Sequence, residues 1–253
     1  MSRASRSPSS SRAVVTPMVA HPPGRDPHLE DLCRARQLPE AWIPRLVHYL
    51  RQLERWNQVH NLTAVREPAA MLDRHVLDSL TLLPWLSGGS VLDVGTGAGI
   101  PGIVLALADP DRRYLLIDAS LKRIRFVRMM LMELGLTNAQ AQHVRVQDLP
   151  VPPAFATVVS RAFAAPADMV AQVGHCVAEN GRILVMLGAR GLLPRDQHLP
   201  DDWEYVRIAA CPVAMGTLGD ASRYIAEVRR RPVQDGAFQS CVPAETQLER
   251  MPP

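Results

Sequence analysis

The sequence predicts an α/β fold on a doubly wound, mostly parallel sheet, and three observations predict it. Short apolar runs alternate with helix-period segments from about residue 90 to 228. A glycine-rich turn joins the first of these strands to the first of these helices. A carboxylate, Asp118, then closes the second strand, where such sheets gather ligand-binding residues.

The turn is the sharpest of the three. Ser90-Val91-Leu92-Asp93-Val94 reads as a strand with one acid, and four glycines follow within eight residues: Gly95, Gly97, Gly99 and Gly102. Glycine permits positive φ and leaves no Cβ in the way, so backbone N–H groups can approach a ligand at a helix N-terminus. Pro101 suits the first turn of the apolar helix over 103–108. Gly95, Gly97 and Gly99 form the GxGxG loop of S-adenosylmethionine-binding folds, while Gly97, Gly99 and Gly102 match the GxGxxG dinucleotide fingerprint. Asp118, 19 residues beyond Gly99, stands where a carboxylate meets ribose hydroxyls, and both cofactors carry a ribose.

Composition bounds the remaining classes. With 253 residues, 47% of them hydrophobic, the chain can bury a full core. No apolar run approaches the roughly 20 residues that a membrane-spanning helix needs, and the N-terminus lacks a signal-peptide core. Cys33, Cys176, Cys211 and Cys241 are scattered without a CxxC pair, which argues against zinc and for a reducing, cytoplasmic setting. A net charge of +3 says little about nucleic acid by itself, so the distribution of arginine carries that question.

Residues 1–28, rich in Ser, Arg and Pro, read as a disordered tail. Over 39–59 the positions Trp42, Ile43, Leu46, Val47, Leu50, Leu53 and Trp56 recur at three- and four-residue steps and predict the strongest helix. A second helix opens at Glu67-Pro68 and runs to about 83, carrying Arg74, His75, Asp78 and Ser79. These helices make an N-terminal extension over 29–88. After strand two (113–118), a helix over 121–134 has Ser120 as its N-cap and Gly135 as its stop, with Leu121, Ile124, Val127, Leu131 and Leu134 facing inward. Lys122, Arg123, Arg125 and Arg128 crowd its first turns, where the helix dipole disfavours cations. A solvated face and a phosphate-binding role both account for them. Strands follow at 142–146, 155–160, 182–187 (after an Asn180-Gly181 turn), 204–209 and 224–228, with a helix over 166–177. The sheet-bearing domain spans 89–230, and 231–253 reads as a loose tail.

In their order and spacing, Asn61-Leu62-Thr63, Arg74-His75-Val76-Leu77-Asp78-Ser79, Asp93 to Gly102, Lys122-Arg123 and Ser160-Arg161-Ala162-Phe163 resemble the bacterial ribosomal RNA small subunit methyltransferase G family, also called glucose-inhibited division protein B. The resemblance covers about 29–230. It implies the seven-stranded S-adenosylmethionine-dependent methyltransferase (Rossmann-like) sheet, S-adenosylmethionine as cofactor, and methylation of a guanine N7 in 16S ribosomal RNA beside the decoding site. It also implies a cytoplasmic protein, taken here as a monomer, acting on 16S ribosomal RNA or a small-subunit particle. Carried over by position, the cofactor contacts fall on Gly95, Ile100, Val146, Gln147 and Arg161; Asp93 orients the glycine loop with Gly97 and Gly99, and Asp118 holds the ribose. Two positions depart from the family: Gln147 stands where an acid is common, which shifts that contact to backbone or to Asp148, and Leu187-Gly188 replaces Lys-Gly, leaving Arg190 as the nearby cation.

The residues themselves agree with N7. That atom has an in-plane lone pair and no proton, so attack needs placement and no general base. The Asn/Asp-Pro-Pro-aromatic motif of exocyclic-amine methyltransferases is missing after strand four, where Ser160-Arg161-Ala162-Phe163 stands, and no Pro-Cys supplies a cytosine-C5 nucleophile. Arg161 is the positioning candidate, with an ion pair to Asp78 or Asp118 as its plainer reading, and Phe163 is a stacking candidate. Lys122, Arg123, Arg125 and Arg223 are the candidate RNA-phosphate contacts. A methyltransferase for another RNA or a small molecule, a nicotinamide-dependent oxidoreductase, and a non-catalytic ribosome-assembly binder are the alternative readings.

Overall fold

The computed structural model describes residues 26–150, 154–161, 165–188, 198–211 and 223–232. Helix α1 (Pro27–Ala35) starts where the Asp26 side chain accepts a hydrogen bond from Leu29 N at 3.1 Å. Helix α2 (Ile43–His60) buries Leu46, Val47, Tyr49, Leu50 and Leu53 along one stripe. It begins four residues later than its apolar period suggests, because a turn with Trp42 N bonded to Pro39 O precedes it. Asn61, in the left-handed region at φ 49°, ends it.

The second predicted helix is a continuous rod in three parts: α3 (Pro68–Met71), a π-helical stretch (Leu72–Leu77) and α4 (Asp78–Leu80). It stops short of the expected end near 83, and a 3₁₀ turn, Leu83–Trp85, leads to the sheet. The π stretch carries the buried polar residues Asp73 and His75, and such wider turns are frequent at functional sites.

Strand β1 (Ser90–Val94) runs through the glycine loop into α5 (Gly102–Ala108), then β2 (Arg113–Asp118), α6 (Leu121–Glu133) and β3 (Ala139–His143). Strand β4 (Phe155–Arg161), α7 (Pro166–Val173), β5 (Val177–Leu187), β6 (Trp203–Cys211) and β7 (Arg223–Arg230) follow. The seven strands lie in the order β3-β2-β1-β4-β5-β7-β6, and β7 pairs antiparallel with both neighbours while the other pairs are parallel. The crossovers place α5 and α6 on one face, packed with α1 and α2 around Leu116, Val159 and Leu184, and α7 on the other, against Leu92, Val158 and Ile183. At the antiparallel end, the buried Glu227 carboxylate accepts from Arg182, Arg207 and Arg229.

Five sequence expectations need correction. Strand three lies at 139–143 rather than 142–146: its inward residues are Ala139 and Ala141, too small to register as an apolar run, while Val144 and Val146 lie beyond the strand. Leu121 is 42% exposed because it sits in the first turn of α6, ahead of the stripe; Phe126 and Met130 are buried instead, since the helical extension covers a second side of this helix, with Trp56 and Tyr49 rings 5.4 and 6.4 Å from Phe126. Ser120 does stand at the N-cap of α6, but its hydroxyl makes no capping bond; the Asp118 side chain turns the chain there, accepting from Ser120 N at 2.8 Å. Asn180-Gly181 is an irregularity within β5, not a turn before it, and α7 ends at Val173, so Val177 already pairs with Phe155.

Candidate active site

Strand order reverses between β1 and β4, and a crevice of about 620 Å³ opens there at the carboxyl ends of the strands. Its wall on the β1 side is the glycine loop. Gly95, Gly97 and Gly99 have φ of 68°, 60° and 87°, a region that an L side chain rarely adopts. A Cβ added to Gly97 would meet no protein atom nearer than Gly95 O at 3.8 Å, so that face of the backbone is open. At Gly102 a Cβ would stand 2.6 Å from both Asp93 Oδ2 and Leu116 Cγ, which makes it a helix–strand packing position.

Two carboxylates hold the loop. Fully buried Asp93 accepts from Thr96 Oγ1 at 2.5 Å and Gly102 N at 2.9 Å on a single oxygen, Oδ2, tying the two ends of the loop together. Its Oδ1 has no partner among the described residues. Burial pushes its carboxyl up to about 7, against the lowering effect of those two hydrogen bonds; the charge of Asp118 adds to the rise. Asp118 accepts from Gly97 N at 3.0 Å and Arg123 Nη1 at 3.3 Å on Oδ2, and from Ser120 N on Oδ1. Three donors on a group with about four acceptor positions leave it about one more.

The facing wall joins distant segments. Asn57, buried on α2, clips the following turn: its Oδ1 accepts from Thr63 N at 2.8 Å and its Nδ2 donates to Val65 O at 3.1 Å. Thr63 Oγ1 lies 2.9 Å from His75 Nε2, and His75 Nδ1 lies 3.0 Å from Arg161 Nη1 at the end of β4. Arg161 also comes within 3.9 Å of Asp78. The ion-pair reading of Arg161 and its presence on the crevice wall therefore hold together. A third edge, Val144 to Gln147, follows β3; Gln147 Nε2 donates to Gln172 Oε1 of α7 at 2.8 Å.

Of the residues expected at the cofactor, Gly95, Gly97, Ile100, Asp118, Val146, Gln147 and Arg161 line the crevice, while Asp93 and Gly99 lie behind its wall. Asp148 is exposed and off the wall. Among the cationic candidates Arg123 lines the crevice, Lys122 donates to His60 O at 3.0 Å, and Arg125 is exposed on α6. The Arg223 side chain, Phe163 and Arg190 lie outside the described residues. The structure adds Leu62, Ala98, Arg145 and Gln172, and gives Thr63 a position that motif spacing did not. Tyr49 supports this region too, donating from α2 to Ala98 O at 2.9 Å; its place on the apolar stripe hid that polar duty.

A glycine loop, an acid closing β2 and a crevice at the switch point of a seven-stranded sheet with β7 reversed define the S-adenosylmethionine-dependent methyltransferase class. The solved glycopeptide N-methyltransferase MtfA shares the fold at a TM-score of 0.50 and 14% identity, over 64% of this chain and 99% of its own. The particular family is set by sequence: the family model described as rRNA small subunit methyltransferase G matches residues 43–198. Proteins named ribosomal RNA small subunit methyltransferase G are 42% identical over 196 residues in Idiomarina loihiensis (77% of this chain, 92% of that protein) and 46% identical over 160 residues in Alkalilimnicola ehrlichii (63% and 71%). The chain belongs to the rRNA small subunit methyltransferase G family. Its loop is accordingly read as GxGxG, and its cofactor is S-adenosylmethionine. The residues present fit that group: open backbone at Gly97, a spare acceptor on Asp118 and apolar Ile100 and Val146 suit a ligand that combines a ribose with an aromatic base.

Proposed function

We propose that this protein methylates N7 of a guanine in 16S ribosomal RNA near the decoding site, without a dedicated general base. One observation carries the reading: the described crevice contains no uncommitted base. Besides arginines, its titratable side chains are Asp118, which already accepts from three donors, and His75, whose two ring nitrogens face Arg161 and Thr63. A substrate atom bearing a proton would have nowhere to send it; N7 bears none.

S-adenosylmethionine supplies an electrophilic methyl group. The chain's part is to bind and align: Gly95, Gly97 and Ile100 offer the loop wall, Asp118 the ribose acceptor, Val146 and Gln147 the third edge, and Arg161 the facing wall. Asp93 and Gly99 shape that surface from behind. Lys122, Arg123, Arg125 and Arg223 would meet backbone phosphates, positioning RNA without reading its sequence. In this reading residues 29–88 form a helical extension to a methyltransferase domain over 89–230, and the protein works as a cytoplasmic monomer on 16S RNA or a small-subunit particle.

Chemical cleavage at N7-methylguanine in 16S RNA tests the proposal directly. A strain lacking this protein should lose one cleavage near the decoding site, and an unchanged pattern would overturn the assignment. For the cofactor contacts, Asp118→Ala should weaken S-adenosylmethionine binding by tenfold or more, about the value of a lost charged hydrogen bond. Calorimetry showing unaltered affinity would remove Asp118 from the ribose.

A further inference from the structure

We infer that the Thr63 hydroxyl donates a hydrogen bond into the crevice and reads O6 of the target guanine, the acceptor beside N7. The inference rests on the N7 reading above and adds to it how the base is told from adenine.

The argument is an account of lone pairs. A guanidinium has donors only, so Arg161 Nη1, 3.0 Å from His75 Nδ1, obliges that nitrogen to accept. The neutral ring then carries its hydrogen on Nε2, and Nε2–H donates to Thr63 Oγ1 at 2.9 Å. A second donor, Val65 N–H, reaches the same oxygen at 3.1 Å. Both lone pairs of the hydroxyl are thereby filled, and its own hydrogen is the remaining polar capacity. Among the described residues no acceptor takes that hydrogen, and Thr63 lines the crevice. Asn57 fixes the turn from both sides, so the donor is held in place before substrate arrives.

A fixed donor with no accepting capacity is selective. On the edge of a purine that carries N7, guanine presents O6 as a second acceptor, whereas adenine presents an N6 amino donor. Thr63 would pair with the first and oppose the second. His75 and Arg161 act through it as positioning residues: the first supplies the donor that fills the hydroxyl, and the second sets the tautomer.

The test uses the full chain and small-subunit particles reconstituted with 16S RNA carrying either guanine or 2-aminopurine at the target; 2-aminopurine keeps N7 and lacks O6. Single-turnover transfer is read for wild type, Thr63→Val and Thr63→Ser, with cofactor affinity measured alongside. Thr63→Val should transfer about tenfold more slowly to guanine, with no further loss relative to wild type on 2-aminopurine, and Thr63→Ser should stay near wild type. Cofactor affinity should be the same in all three. Equal rates of wild type on the two particles, or a Thr63→Val loss that is as large on 2-aminopurine as on guanine, would overturn the inference while leaving N7 methylation intact. Product methylated elsewhere than N7 would instead remove the reading on which it rests. Should Thr63→Val lose cofactor binding, Thr63→Ala makes the same truncation and decides by the same comparison.

Discussion

One wall of the crevice, Val94 to Ile100, comes from a single stretch of chain and offers mostly backbone; the other gathers Thr63, His75 and Arg161, the last two meeting across 86 positions of sequence. The first depends on glycines in left-handed conformations and on two carboxylates that pin them. The second depends on side chains whose donors and acceptors complete one another. Damage to the first should therefore appear in stability and cofactor affinity together, and loss of the Thr63 hydroxyl from the second in methyl transfer with the cofactor still bound.

The largest expected effect breaks the first wall at its packing contact. Gly102→Ala sets a methyl 2.6 Å from Asp93 Oδ2 and Leu116 Cγ, between helix and strand with little room to yield. We expect a loss of about 2–4 kcal/mol in urea unfolding, with cofactor affinity falling in parallel. A stable variant with normal affinity would mean that the loop tolerates a shift of α5 and that the two walls are less different than described.

A smaller effect separates charge from geometry in the same wall. Burial raises the Asp93 carboxyl to about 7, above the roughly 3.9 of an unfolded Asp. The native state thus holds the proton more tightly, so this contribution to stability is complete below about pH 4 and is lost as pH rises through about 7. Asp93→Asn does not titrate. Between pH 5 and pH 8 wild type should lose about 1–3 kcal/mol relative to Asp93→Asn. A difference that is flat with pH, or that moves in favour of wild type, would show the carboxyl to be ionised throughout.

The smallest effect lies outside both walls, on the exposed face of α6. Lys122→Ala and Arg125→Ala should each weaken RNA binding a few-fold and reduce the slope of log affinity against log salt by about 1, leaving cofactor affinity alone. An unchanged slope would assign these side chains to a merely solvated face. Lys122 bonds His60 O of the helical extension, so a stability change confined to that variant would separate its two duties.

The legibility of the sequence followed the same division as the walls. Strands β1, β2 and β4 were readable because β-branched and leucine side chains end abruptly at turn residues, and the loop because glycines cluster where positive φ is needed. β3 was misplaced because alanine fills its inward positions. Thr63 stood in the sequence only as one letter of a motif, because neither helical nor strand periodicity encodes which hydroxyl meets which imidazole.

By itself, then, the sequence determined the order of elements, the glycine loop and the acid that closes β2, since each follows from interactions within a few residues: φ preferences, burial period and turn chemistry. The tertiary structure decided which of these groups face one another. It put Asp93 behind the wall as scaffolding and Asp118 in the wall with about one acceptor position to spare, and gave Arg161 a His75 partner beside the expected Asp78. The reason is physical: hydrogen-bond capacity is a property of three-dimensional neighbours, and folding of the sheet and the helical extension together brings Thr63, in the turn after α2, and Arg161, at the end of β4, each to about 3 Å from a ring nitrogen of His75 on the π-helical stretch.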